Sequence, residues 1–284
     1  MIKSLRDRHP DILVLEAGDL LFPRLRQPGT RGRHLDRARF IIRSLGALGV
    51  DAWCPSALDL NMGMDELRRA ASEAGLPLIS ANLEDAHGKL LLPSHLLMKR
   101  GGLHLAVVGL SGPWPKTRLP EGFRLTKPGK ALERVKKTLN TQVDLIIVLS
   151  SLGIEADQRL AQTQEGPHLF LGAGDDRMVL MPRRAGDSLL LQPYKLGEYL
   201  GLLRLNWRRP LMPILDSLEK ARLQRRLDKT PSDSPEADRL RQGLKHFTGR
   251  SLLRAVLRPL SESDPQDPKL REAISSQIRR EAGL

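Results

Sequence analysis

Eight short apolar runs divide the first two hundred residues, and they constrain the fold more than any other feature. They are DILVLEAG (11–18), VDAWCP (50–55), LPLISANL (76–83), LHLAVVGLS (103–111), DLIIVLS (144–150), HLFLGAG (168–174), DSLLLQP (187–193) and GLLRLNW (201–207). Several are continuously apolar, as strands covered on both faces must be. Amphipathic stretches separate them. Residues 33–48 place Leu35, Phe40, Ile41 and Leu45 on one helical stripe. Residues 64–74, 130–140 and 155–163 behave alike. Strands alternating with helices predict an α/β fold whose later strands run antiparallel.

After Trp207 the pattern changes. Residues 212–229 form a Leu-spaced helical segment, with Ile214, Leu218, Leu223 and Leu227 on its stripe. TPSDSPEAD (230–238) reads as a turn, with Ser234 as N-cap ahead of Pro235 at the first helical position. A second helix running to about His246 completes an αα-hairpin. SLLRAVLRPL (251–260) alternates like a strand, and DPQDPKLREAISSQIRRE closes with a helix. The expected organisation is one α/β domain over 1–207 and a hairpin, strand and helix over 208–284.

The bulk numbers exclude some classes. With 284 residues the chain can bury a large core. No apolar run approaches the ~18 residues of a membrane span. The opening MIKSLRDRHPD lacks an apolar secretory core, so the chain as written reads as cytoplasmic. A single cysteine, Cys54, rules out an internal disulfide or a cysteine-based zinc cluster. The net charge of +13 permits an anionic partner. It is spread along the chain, and aromatics are only 4%. No helix-turn-helix, zinc or stacking motif accompanies it, which disfavours nucleic acid as the main partner.

Gly18-Asp19 ends the first apolar run, and glycine followed by aspartate suits a tight turn with a cap. A carboxylate at the carboxyl end of a strand is also where α/β proteins hold ligands. The order of later segments adds to this. LEAGDLLF is followed by GVDAWCPSALDLNMG, LPLISANL, AVVGLSG, VDLIIVLSSLGIEAD, HLFLGAGDD and LLLQPYKLGEYLGLLRL. Over nearly all of residues 1–207 this series resembles the 5′-nucleotidase branch of the calcineurin-like metallophosphoesterases. LLRAVLRPLSESDPQDPKLREAI resembles the tail that follows an αα-hairpin in bacterial members.

The resemblance implies a layered β-sandwich flanked by helices, and two-metal phosphoester hydrolysis. In that chemistry a bridging Gly-Asp carboxylate and several histidines hold two divalent ions. Asp19 matches the bridging aspartate. Ser56, Ala57, Leu58 and Asp59 stand where the family has Gly-Asn-His-Glu. Ser151 stands for a metal-binding histidine, and Gly174 and Asp176 for two more. The family's opening strand, with its Asp-x-His pair, has no counterpart from Met1 onward. A segment upstream of Met1 would supply one, and would make the protein periplasmic.

The resemblance therefore implies a degenerate member without phosphoesterase activity, acting as a binding or scaffolding module. The alternatives are a nucleotide or other phosphoester hydrolase with an atypical metal site, and a basic nucleic-acid-binding protein. No cofactor is expected, beyond a single weakly held Mg²⁺, Mn²⁺ or Ca²⁺ through Asp19, Asp59 and Asp176. Arg24, Arg26, Arg31 and Arg33 follow Asp19 and are candidates for gripping a phosphate-containing small molecule. The hairpin is the candidate surface for a protein partner. His104 and His168 fall within strand patterns and are expected to be partly buried.

Overall fold

The structure is a computed structural model, which describes residues 1–22, 31–113, 119, 121–139, 143–166, 168–175, 177–193, 197–208, 213–261, 263–264 and 266–282. The elements are, in order, α1 (Ile2–Arg8), β1 (Leu15–Glu16), α2 (Arg31–Ala47), β2 (Ala52–Trp53), a 3₁₀ turn (Asp59–Met62), α3 (Met64–Glu73), β3 (Leu83–Asp85), β4 (His95–Arg100), β5 (Leu103–Leu110), β6 (Phe123–Leu125) and α4 (Pro128–Thr138). They continue with β7 (Leu145–Ser150), α5 (Ile154–Thr163), β8 (His168–Gly172), β9 (Val179–Ala185), β10 (Ser188–Gln192), β11 (Tyr199–Asn206), β12 (Leu215–Asp216), α6 (Ser217–Leu227), α7 (Pro235–Lys245), β13 (Leu252–Pro259) and α8 (Pro268–Ala282).

The apolar runs at 103–111, 144–150, 168–174 and 187–193 become β5, β7, β8 and β10. These pair in parallel at the centre of a six-stranded sheet ordered β4-β5-β7-β8-β10-β9. Both edge strands run antiparallel to their neighbours. Continuous apolarity follows from coverage on both faces. Leu105, Val107, Ile147, Leu149, Leu169, Leu189 and Leu191 point to one side. Val108, Leu110, Val148, Phe170 and Leu190 point to the other, where Leu132 and Val135 of α4 and Leu160 and Ala161 of α5 cover them.

The first face packs on a second layer of β1 and β2, the segment around Ile79, and a three-stranded sheet ordered β11-β13-β12. Ile214, Leu253 and Ala255 enter this same core, so the segment after residue 207 packs into the sandwich. On the outer side of β2, Trp53 is fully buried among Ile42 of α2 and Leu67 of α3. The result is helix, sheet, sheet, helix, the layered arrangement that the sequence predicts.

Three expectations need correction. The run at 76–83 forms no ladder until Leu83, apart from one bridge from Trp53 to Leu78. The helix expected over 212–229 begins only at Ser217, because Leu215 and Asp216 first pair with Leu252 and Leu253. Asp216 then caps α6 by accepting the Leu218 amide at 2.8 Å. His168 is buried, but His104 is exposed and lies 3.7 Å from Asp144 at the surface.

Candidate functional site

The candidate site lies where β1, β2, β7 and β8 end. Gly18 leaves β1 at φ +105°, and a Cβ there would stand 2.6 Å from the Cys54 carbonyl oxygen. Glycine is required by that close approach. Asp19 follows at φ +65°, a left-handed conformation that aspartate tolerates better than most residues. Its carboxylate oxygens are shielded from solvent.

The turn is held from outside. The Asp59 carboxylate is fully buried and accepts five hydrogen bonds. Its Oδ2 accepts from the amides of Asp19 (3.0 Å) and Ser56 (2.8 Å) and from the Ser56 hydroxyl (3.0 Å). Its Oδ1 accepts from the amides of Leu20 (3.0 Å) and Leu21 (2.9 Å). Burial raises its pKa, while these amides pull it back down. Glu16 caps the same turn by accepting from the amides of Ala17 and Gly18. Burial, reinforced by the charges of Asp59 and Asp19, pushes Glu16 up to about 7. Asp59 and Glu16 thus both accept from the backbone of this turn.

Beside it, Ala57 and Leu58, at positions where the resemblance implies polar side chains, are buried core residues. The Ala57 amide donates to the Gly112 carbonyl at 3.1 Å. The Ser151 hydroxyl accepts the Gly112 amide at 2.8 Å and is itself buried. The three backbone segments meet without room for side chains. A Cβ on Gly112 or on Gly174 would collide with the Ser151 carbonyl oxygen, well inside the 3.0 Å that real Cβ atoms keep.

A second polar group lies behind this contact. Ser150 donates to Asp157 Oδ1 at 2.5 Å. Asp175 accepts the Ile154 and Arg177 amides, each at 3.0 Å, and a bond from Gln192 Nε2, which also donates to the Arg177 carbonyl at 2.6 Å. Sequence reasoning missed Glu16, Asp157, Asp175 and Gln192. Asp157 had a visible signal, because it falls on the buried stripe of α5 with Ile154, Leu160 and Ala161. Cys54 is buried with its thiol pushed up to about 12, which makes it unreactive.

A dinuclear centre needs several nitrogen and oxygen donors free to converge. The donors here do not fit that need. Asp59 spends both carboxylate oxygens, and Glu16 its Oε1, on the backbone of the turn, and Ser151 faces Gly112. Among the described residues, no three His, Cys, Asp or Glu side chains are grouped so as to hold a metal. Asp176, Arg24 and Arg26 lie outside the described residues. Arg31 and Arg33 open α2, and their side chains also lie outside the description.

Fold and sequence together define a homologue of the metallophosphoesterases, of the 5′-nucleotidase kind. The chain is 28% identical over 189 residues to an uncharacterized metallophosphoesterase of Bacillus subtilis, YunD, covering 60% of this chain and 40% of that protein. It is 24% identical over 237 residues to the 5′-nucleotidase of Bos taurus, covering 72% and 40%. Among solved structures, the sulfate thiohydrolase SoxB of Thermus thermophilus superposes with a TM-score of 0.72 at 20% identity, covering 99% of this chain and 46% of that one. The matches thus take in 40% of the length of each curated relative. No family model matches. Among the described residues, no helix is long and apolar enough to cross a membrane.

Proposed function

We propose that this chain is a degenerate metallophosphoesterase domain that does not hydrolyse phosphoesters and acts as a binding or scaffolding module. One observation carries the reading. The backbone at Ser151 and Gly174, where the resemblance implies metal-binding histidines, closes against itself and against Gly112, and Asp59 and Ser151 serve as backbone acceptors. Side chains at these positions have exchanged ligand binding for turn stabilisation. The α6–α7 hairpin, with Leu218, Leu223 and Leu227 only half-buried, offers the surface for a protein partner.

The test is a hydrolysis assay on an aryl phosphate and on AMP with Mn²⁺, alongside metal analysis of the dialysed protein. The expected result is no turnover above an Asp19→Asn control and no stoichiometric metal. Metal-dependent turnover that disappears in Asp19→Asn would overturn the reading.

A further inference from the structure

Behind the closed site, two buried oxygens face one small gap. Asp157 Oδ2 and Gln192 Oε1 are both buried and have no hydrogen-bond partner. A methyl group placed on Gly172 would stand 3.2 Å from the first, 2.8 Å from the second, and 3.5 Å from the Leu191 carbonyl oxygen. Three acceptors thus converge where glycine leaves a space, and no donor is among them. The orientation of Gln192 is fixed, because its Nε2 donates to two acceptors, Asp175 Oδ1 and the Arg177 carbonyl.

Buried acceptors are costly unless something positive or hydrogen-bearing lies between them. A gap of about one methyl group leaves no room for the waters that would complete the six or more oxygens Ca²⁺ or Mg²⁺ take. A proton fits. We propose that Asp157 carries a buried proton that links it to Gln192, directly or through one water, and that this link latches Gly174 and Asp175 against Ser151. The bonds then run in one direction. Ser150 donates to Asp157, Asp157 donates towards Gln192, and Gln192 donates to Asp175, which also holds the Ile154 and Arg177 amides. When the proton leaves to solvent, a carboxylate faces the Gln192 oxygen, and Asp175 loses its anchor. The turn bearing Gly174 is released, uncovering the ends of β7 and β8.

The electrostatics agree. Burial, with a smaller push from Asp175, raises Asp157 to about 7. Among the described residues, the surrounding elements offer no compensating cation. Arg183 of β9 is drawn to Gln158, and Lys136 of α4 to the Glu165 carbonyl. Arg177 pairs with Glu155. His168 starts β8, at the end of the strand opposite Gly172, and β7 and β10 carry no ionisable side chain. The buried Cys54 thiol feels Asp157 but stays protonated.

The latch is tested by hydrogen exchange of the Ile154 and Arg177 amides, corrected for the intrinsic rate, from about pH 6 to 9. In the wild type, protection should fall about tenfold per pH unit above the transition. Asp157→Asn, whose amide donates permanently from the same position, should stay protected throughout. Protection that is independent of pH in the wild type, or that falls equally in Asp157→Asn, would overturn the proposal. Gly172→Ala, which puts a methyl group into the gap, should lower protection already at about pH 6; a wild-type profile would again overturn it. Protection at about pH 9 restored by Ca²⁺ or Mg²⁺ would assign the gap to a metal ion instead.

Discussion

Asp59 holds Asp19 in place: its Oδ2 accepts the Asp19 amide at 3.0 Å across 40 positions of sequence. The residue that resembles a bridging metal ligand is therefore the held partner, and its neighbour is the clamp. Asp59→Ala should cost on the order of 3 kcal/mol or more, because it strands four amides at once, two of them in buried bonds. Asp59→Asn should cost less, since one oxygen remains to accept. Urea unfolding of the two variants checks this. Equal stability of Asp59→Ala and wild type would refute the clamp.

Gly174→His returns a family-type histidine to its place. It should destabilise the protein by a few kcal/mol, because its Cβ meets the Ser151 carbonyl and the residue needs φ +91°. It should gain no stoichiometric metal. Calorimetry and metal analysis of the purified variant decide. A stable variant that takes up Mn²⁺ would mean that the backbone gives way easily.

Stability should respond to pH through opposed groups, His168 on one side and Asp157 with the likewise raised Glu16 on the other. Burial pushes His168 down to about 4. Between there and about pH 6.5 the unfolded chain binds a proton that the folded chain refuses, so stability rises with pH. Asp157 acts in reverse. The folded chain keeps its proton up to about 7 and the unfolded chain gives it up near 3.8, so stability falls as pH climbs. The first is worth roughly 3 kcal/mol and the second roughly 4 kcal/mol over its window. In the wild type they partly cancel. His168→Gln removes the rising contribution, so its stability should decline steadily from about pH 4 to 7. Parallel profiles for variant and wild type, from urea titrations across this range, would contradict the assignment.

Ser234 accepts the Ala237 amide at 3.2 Å, ahead of Pro235 at the start of α7. Ser234→Ala should lower stability by about 1 kcal/mol. Thermal melts would reveal the loss, and no change would show that the hairpin's second helix needs no cap.

The central strands were legible because burial on both faces leaves only apolar residues to read. The edge strands were not. β4 ends in Met98, Lys99 and Arg100, and β9 carries Pro182, Arg183 and Arg184, residues that guard an exposed edge and break the apolar pattern. The order of motifs and the position of Asp19 could be read. The role of Asp59 could not, because a side chain that caps a backbone turn 40 residues away leaves no periodic trace. Nor could the meeting of Gly112, Ser151 and Gly174, since close backbone approach has no side-chain signature beyond the glycines themselves.

Asp216 ends β12 and caps α6 in the same residue. No slack separates sheet from hairpin. A pull on the start of α6 would therefore reach β13 and the sandwich core through Asp216 without an intervening loop.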